Sequence, residues 1–159
     1  MLFTGAALAQ TTEEDDGTEQ PWREVALELP AAPKQEDLLR FYVSATATQS
    51  FAIDARSVSA GSDGVIRYTL VSTSDAGAKN VSYEGIRCET FERKLYAFGQ
   101  PDGSWTRARR DEWQRISHNA ANRQHAALAK DFFCLEKTVA GTASDMVHRL
   151  RYQRTLTPQ

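Results

Sequence analysis

The sequence predicts an α+β fold: an antiparallel sheet of about five strands running as a meander, with about two to four short helices packed on one face. Three observations lead there. From about residue 42 to residue 107 the chain is rich in β-branched and aromatic residues, interrupted by turn dipeptides. Beyond residue 110 the apolar spacing changes to a helical one. The chain has 159 residues, which suits one domain large enough to bury a core of its own.

The two ends differ from the middle. Residues 1–9, MLFTGAALA, are apolar, uncharged and rich in small side chains. Ala7-Leu8-Ala9 is an A-x-A cleavage pattern followed by Gln10, so this stretch reads as the latter part of a secretory signal peptide, cut after Ala9. The cationic n-region that normally precedes it is missing. Residues 10–20 carry Glu13, Glu14, Asp15, Asp16 and Glu19 with almost nothing apolar, the pattern of a disordered acidic linker. A single globular domain is expected over 21–136, followed by a partly helical C-terminal extension over 137–159.

Within the domain, Trp22, Val25, Leu27 and Leu29 suggest an extended segment that stops at Pro30. Residues 34–41 place acidic side chains before Arg40, which predicts a short helical turn. Strands are expected around Phe51 and Ile53, over 65–73, 80–88 and 92–99, and from Trp105. Asp63-Gly64, Ser74-Asp75-Ala76-Gly77 and Gln100-Pro101-Asp102-Gly103 separate them as turns. Such a meander presents one packed face and one wet face. A short helix is expected over 111–116 and a better one over 121–133, where Ala121, His125, Leu128 and Phe132 form a stripe. Gly141 reads as a stop, and 144–153 as a last, polar helix.

Composition excludes some functions. A net charge of −2 lacks the basic excess of a nucleic-acid binder. No later stretch reaches the length of apolar chain that a membrane span needs. The cysteines are only two, Cys88 and Cys134. An even count in an exported chain points to a disulfide tying helix to sheet. A redox pair or a metal pair would be the alternative, but neither residue sits in C-x-x-C spacing.

The residues that bear chemistry are few. His118, His125 and His148 occur with no G-x-S-x-G elbow, no H-E-x-x-H and no EF-hand pattern, so no catalytic residue, metal ligand or cofactor is assigned. Glu84 shares a strand face with Ile86 and Cys88, and a carboxylate there needs a partner. Arg67, Asn122 and His125 are the candidates for a polar network with it. That network is structural or, in the alternative reading, the general acid/base site of a small envelope hydrolase using Glu84 with Asn122 and His125. The enzyme reading requires Glu84 in a concave pocket reachable by solvent; a binding module would have Glu84 sealed and paired. Arg107, Arg109 and Arg110, flanked by Trp105 and Trp113, form a basic cluster that suits an anionic surface. With Tyr68 and Arg87 it makes up the expected contact surface on the exposed sheet face.

Several of these segments carry a resemblance. Asp63-Gly64-Val65-Ile66-Arg67-Tyr68-Thr69-Leu70, Asn80-Val81-Ser82-Tyr83-Glu84-Gly85-Ile86-Arg87-Cys88, Tyr96-Ala97-Phe98-Gly99 with Trp105, and Asn122, His125, Asp131, Phe133 and Cys134 resemble the cryptic-neisserial-protein-like family of small bacterial envelope proteins. The resemblance spans about residues 22–135. It implies export and carries over no catalytic residue. The combined expectation is a periplasmic, monomeric, non-catalytic binding or accessory module whose partner is an envelope protein or ligand.

Overall fold

The computed structural model describes residue 17 and residues 20–158. The apolar stretch 1–9 and nearly all of the acidic segment 10–20 lie outside them. The sheet is antiparallel throughout and follows chain order: β1 (Leu38–Phe41), β2 (Gln49–Asp54), β4 (Val65–Ser74), β5 (Lys79–Arg87), β6 (Glu92–Gly99) and β7 (Trp105–Arg107). Two short strands, β3 (Ser59–Ala60) on β4 and β8 (Gln114–Arg115) on β6, bring the sheet to eight strands rather than about five. The meander itself is as expected, with turns at Gly64, Gly77 and Gly103. At Gly64, φ is +76°, a value glycine adopts without steric penalty, and Asp63 Oδ1 accepts from the Val65 amide at 3.1 Å to fix the bend.

Two of the extra strands replace expected helices. The turn over 34–41 is helical only for Gln35–Asp37; Leu38 onward pairs with β2 in register Leu38↔Asp54 to Phe41↔Phe51. Around residue 114 the chain is extended, and Glu92↔Arg115 and Arg93↔Gln114 are ladder partners. In both places the sheet edge offers hydrogen bonds to a segment too short to hold a helix by itself.

One face of the sheet carries the helices. A single turn at Ala120–Asn122 leads into α1 (Arg123–Ala127), which continues as a wider π-type turn over Leu128–Phe133. That wide turn buries the consecutive residues Phe132 and Phe133 together. His125, Leu128 and Phe132 of the expected stripe are buried, whereas Ala121 is exposed. A small hairpin, β9 (Cys134–Leu135) with β10 (Thr138–Val139), precedes α2 (Ala143–Tyr152). Thr142 and Asp145 close a reciprocal capping box at the start of α2. Met146 and Leu150 of α2 join Phe41, Ile53, Tyr68, Ile86 and Phe132 in one cluster, so residues on both sides of position 136 share a core. The disulfide Cys88–Cys134 joins the end of β5 to the end of this helical layer, with Cα atoms 5.6 Å apart.

The other face is not wet. Residues 22–30 cross it as a strap, with Leu27 and Leu29 packed on Tyr83, Tyr96, Ala97 and Trp105. Burial from both sides accounts for the unbroken run of seven buried residues at the start of β4. Alternation alone had suggested a solvated face because the covering segment is remote in sequence and forms no strand.

Candidate functional site

Register decides which polar groups meet. Tyr68 on β4 lies directly opposite Glu84 on β5, and both point to the helical face with Ile66 and Ile86. The Glu84 carboxylate accepts from Tyr68 OH at 3.1 Å, from Ser82 Oγ at 2.9 Å and, by its Oε2, from His125 Nε2 at 2.7 Å. His125 arrives from α1, so this network bridges two strands and the helix above them. Glu84 is 5% exposed and His125 3%. The other ring nitrogen, Nδ1, is buried and has no hydrogen-bond partner.

The electrostatics follow from this geometry. Burial pushes the Glu84 carboxyl up, but the charge and hydrogen bond of His125, with the Ser82 hydroxyl, outweigh it and hold the pKa below the usual glutamate value. Burial, then the Glu84 charge, drives the Tyr68 phenol well above its ordinary value, so Tyr68 remains a donor. Glu84 is thus a carboxylate with its acceptor sites occupied, the opposite of a general acid held protonated for transfer. Surface clefts of about 280 to 520 Å³ lie elsewhere, and none of these is lined by Glu84 or His125.

The other candidates separate. Arg67 is not a partner of Glu84. It lies on the opposite face, where Asp63 takes its guanidinium at 2.7 and 3.2 Å and Glu24 at 3.3 Å. Asn122 does not reach Glu84 either; its Oδ1 accepts from Arg93 Nε at 2.9 Å. Tyr68, expected at the surface, is fully buried, because the alternation Ile66, Tyr68, Leu70 turns all three inward. Arg87 stacks over the Trp22 ring at 3.9 Å and bonds Glu89. Arg107, Arg109 and Arg110 are exposed, and none of them forms an ion pair among the described residues.

One group lay outside the sequence-based expectation. Glu24 of the strap accepts from Lys94 Nζ at 2.7 Å, from Arg67 at 3.3 Å and from Tyr96 OH. A bulge in β6 opposite Tyr83 and Glu84 sets Tyr96 and Ala97 on the strap side. Gly85 makes room for that ring: a Cβ there would stand 2.8 Å from the Tyr96 oxygen. Burial raises the Glu24 pKa, but the Lys94 and Tyr96 hydrogen bonds and the Lys94 charge more than offset this and lower it. The charge sign of residues 22–30, read against Arg67 and Lys94, was the available signal.

A match to the CNP1-like family model covers residues 17–151. The chain belongs to this family. No curated protein and no solved structure matches it. The CNP1-like match takes in the strap, the whole sheet, both disulfide cysteines and most of α2. Among the described residues no helix is long and apolar enough to cross a membrane, and no cluster of three His, Cys, Asp or Glu side chains is placed to hold a metal ion.

The titrations set a direction for acid stability. Glu84, Glu24 and Asp63 all have lowered pKa values; at Asp63, burial is overcome by the Arg67 hydrogen bond and the Val25 and Val65 amides. A group whose pKa is depressed by folding contributes fully above its unfolded value and loses that contribution as pH falls through the folded one. Asp54 has the opposite sign, since burial raises it. Asp102 and Asp145 are lowered as well, by hydrogen bonds with Ser104 and Thr142, so five against one the balance favours loss of stability on acidification below the ordinary carboxylate range of about pH 4. The urea midpoint is expected to be lower at pH 3 than at pH 6; an equal or higher midpoint would contradict this.

Proposed function

We propose that this chain is an exported, non-catalytic binding or accessory protein of the bacterial envelope. The carrying observation is the contrast between its charged groups. The Glu84–His125 pair is sealed and engaged in holding helix to sheet, whereas Arg107, Arg109 and Arg110 stand exposed and unpaired among the described residues. The five clefts of about 280 to 520 Å³ give the hydrolase reading no support, because Glu84 lines none of them. Export is supported by the Ala7-Leu8-Ala9 pattern and by a disulfide, a bond that persists in oxidising compartments. The mature chain would then begin at Gln10 and act in the periplasm, as a monomer.

The partner that fits the arginine ridge is an anionic envelope surface, of which lipid head groups are the testable case. Three arginines near such a surface contribute about 1 kcal/mol each at low salt. Sedimentation with phosphatidylglycerol vesicles in low salt should therefore retain the wild-type chain and release it with added salt. The Arg107→Glu/Arg109→Glu/Arg110→Glu variant should bind at least about tenfold more weakly. Equal binding of both proteins, or equal binding to phosphatidylcholine, would count against the surface.

A further inference from the structure

The strap side of the sheet holds more chemistry than a structural seal requires. Arg67, Lys94 and Arg87 stand there with Tyr83, Tyr96, Trp105 and Trp113. Arg67 is 4% exposed, yet its Nε has no partner, and the Nε of Arg87 is likewise buried and unpaired. A buried guanidinium N–H without an acceptor is costly, so this groove is not fully satisfied by what occupies it.

The occupant is the strap, and its attachment is unusual. No backbone–backbone hydrogen bond ties residues 20–33 to the sheet. Each polar contact uses a side chain: Trp22 Nε1 donates to Asp63 O at 2.8 Å, the Val25 amide to Asp63 Oδ2 at 3.0 Å, and Trp105 Nε1 to Pro30 O at 2.8 Å. Glu24 supplies the charge, touching Arg67 through one Nη alone at 3.3 Å. Trp22 sits between Arg87 and Trp113, 3.9 Å from the guanidinium carbon and 5.9 Å from the second indole. An extended segment held by pockets and one carboxylate resembles a bound peptide more than a strand of the sheet.

We propose that this face is a peptide-binding groove, and that the strap is its tethered stand-in ligand. The ligand class is written in the strap itself: an extended peptide bearing an aromatic residue, a carboxylate two positions on, and two alternate aliphatics, as in Trp22, Glu24, Leu27 and Leu29. An incoming carboxylate that engages the Arg67 Nε together with an Nη would form the forked pairing that Glu24 does not make. The tether gives the strap an effective concentration of roughly millimolar, so free peptide competes poorly until the strap is weakened. This site lies on the opposite face of the sheet from Glu84, and none of its contacts uses the arginine ridge.

The test uses the full chain and a fluorescently labelled peptide of residues 20–32 followed by anisotropy. Glu24→Lys sets a cation against Arg67 and Lys94 and lifts the chain's own strap. The variant should bind the peptide at least tenfold more tightly than the wild-type chain does, and a peptide carrying the same Glu24→Lys change should bind at least tenfold more weakly. Trp22→Ala, which removes the aromatic anchor without adding charge, should also increase binding and decides the matter if Glu24→Lys does not fold. No saturable binding to a folded strap variant, equal binding by wild type, or indifference to the peptide's charge would each overturn the groove.

Discussion

Removing the disulfide, by Cys88→Ala with Cys134→Ala, is expected to lower the unfolding free energy by about 4 kcal/mol. The bond closes a loop of 46 residues that contains β6, β7, β8 and the whole of α1 with its π turn. In the chain-entropy view, that constraint acts by shrinking the unfolded ensemble. Native packing adds to it, because Cys88 is 1% exposed and Cys134 5%, and two small cavities would remain. Urea unfolding of the oxidised chain and the double variant measures the difference. A loss below about 1 kcal/mol would show that the helical layer stays in place without the bond.

Replacing Glu84 by Ala is the second large effect, with an expected cost of about 3–5 kcal/mol. Deleting the carboxylate leaves Tyr68 OH and His125 Nε2 without their acceptor in a site shut off from solvent, and the half-buried Ser82 Oγ without its own. Each stranded buried donor costs about 1–3 kcal/mol, less where local relaxation admits water. Tyr68→Phe removes one donor and no acceptor, so it should cost much less, about 1 kcal/mol. Equal costs for the two variants, read from urea midpoints at pH 7, would mean that the carboxylate is not the hub of the network.

Much of the fold was legible because period and turn chemistry agree locally. The strands around Phe51, 65–73, 80–88 and 92–99 each show β-branched or aromatic enrichment between turn residues, and each became a strand of the sheet. The cysteine pairing was legible because two residues leave one choice. β1 was not, since Glu36-Asp37 followed by Arg40 mimics the charge order of a helix over a segment that β2 captures as an edge. β8 is two residues long and exists only as a partner of β6. Of the site, Glu84 with His125 could be read from a carboxylate on an apolar strand face and a histidine on an apolar helix stripe. Tyr68 could have been read too, since Ile66, Tyr68 and Leu70 alternate on one face. Its identity as the residue opposite Glu84 depends on the β4–β5 register, which no single strand encodes. The strap's role depends on long-range pairing of Glu24 with Arg67 and Lys94 and had no local signature.

The central claim is that the buried Glu84–His125 pair of this CNP1-like chain works as a clamp between sheet and helix. A double-mutant cycle of Glu84→Ala and His125→Ala, with stability measured by urea unfolding at pH 7, tests it most directly. The clamp predicts that the double variant loses about 1–3 kcal/mol less than the sum of the single losses. Additive losses would show that Glu84 and His125 do not hold one another, and would contradict the account.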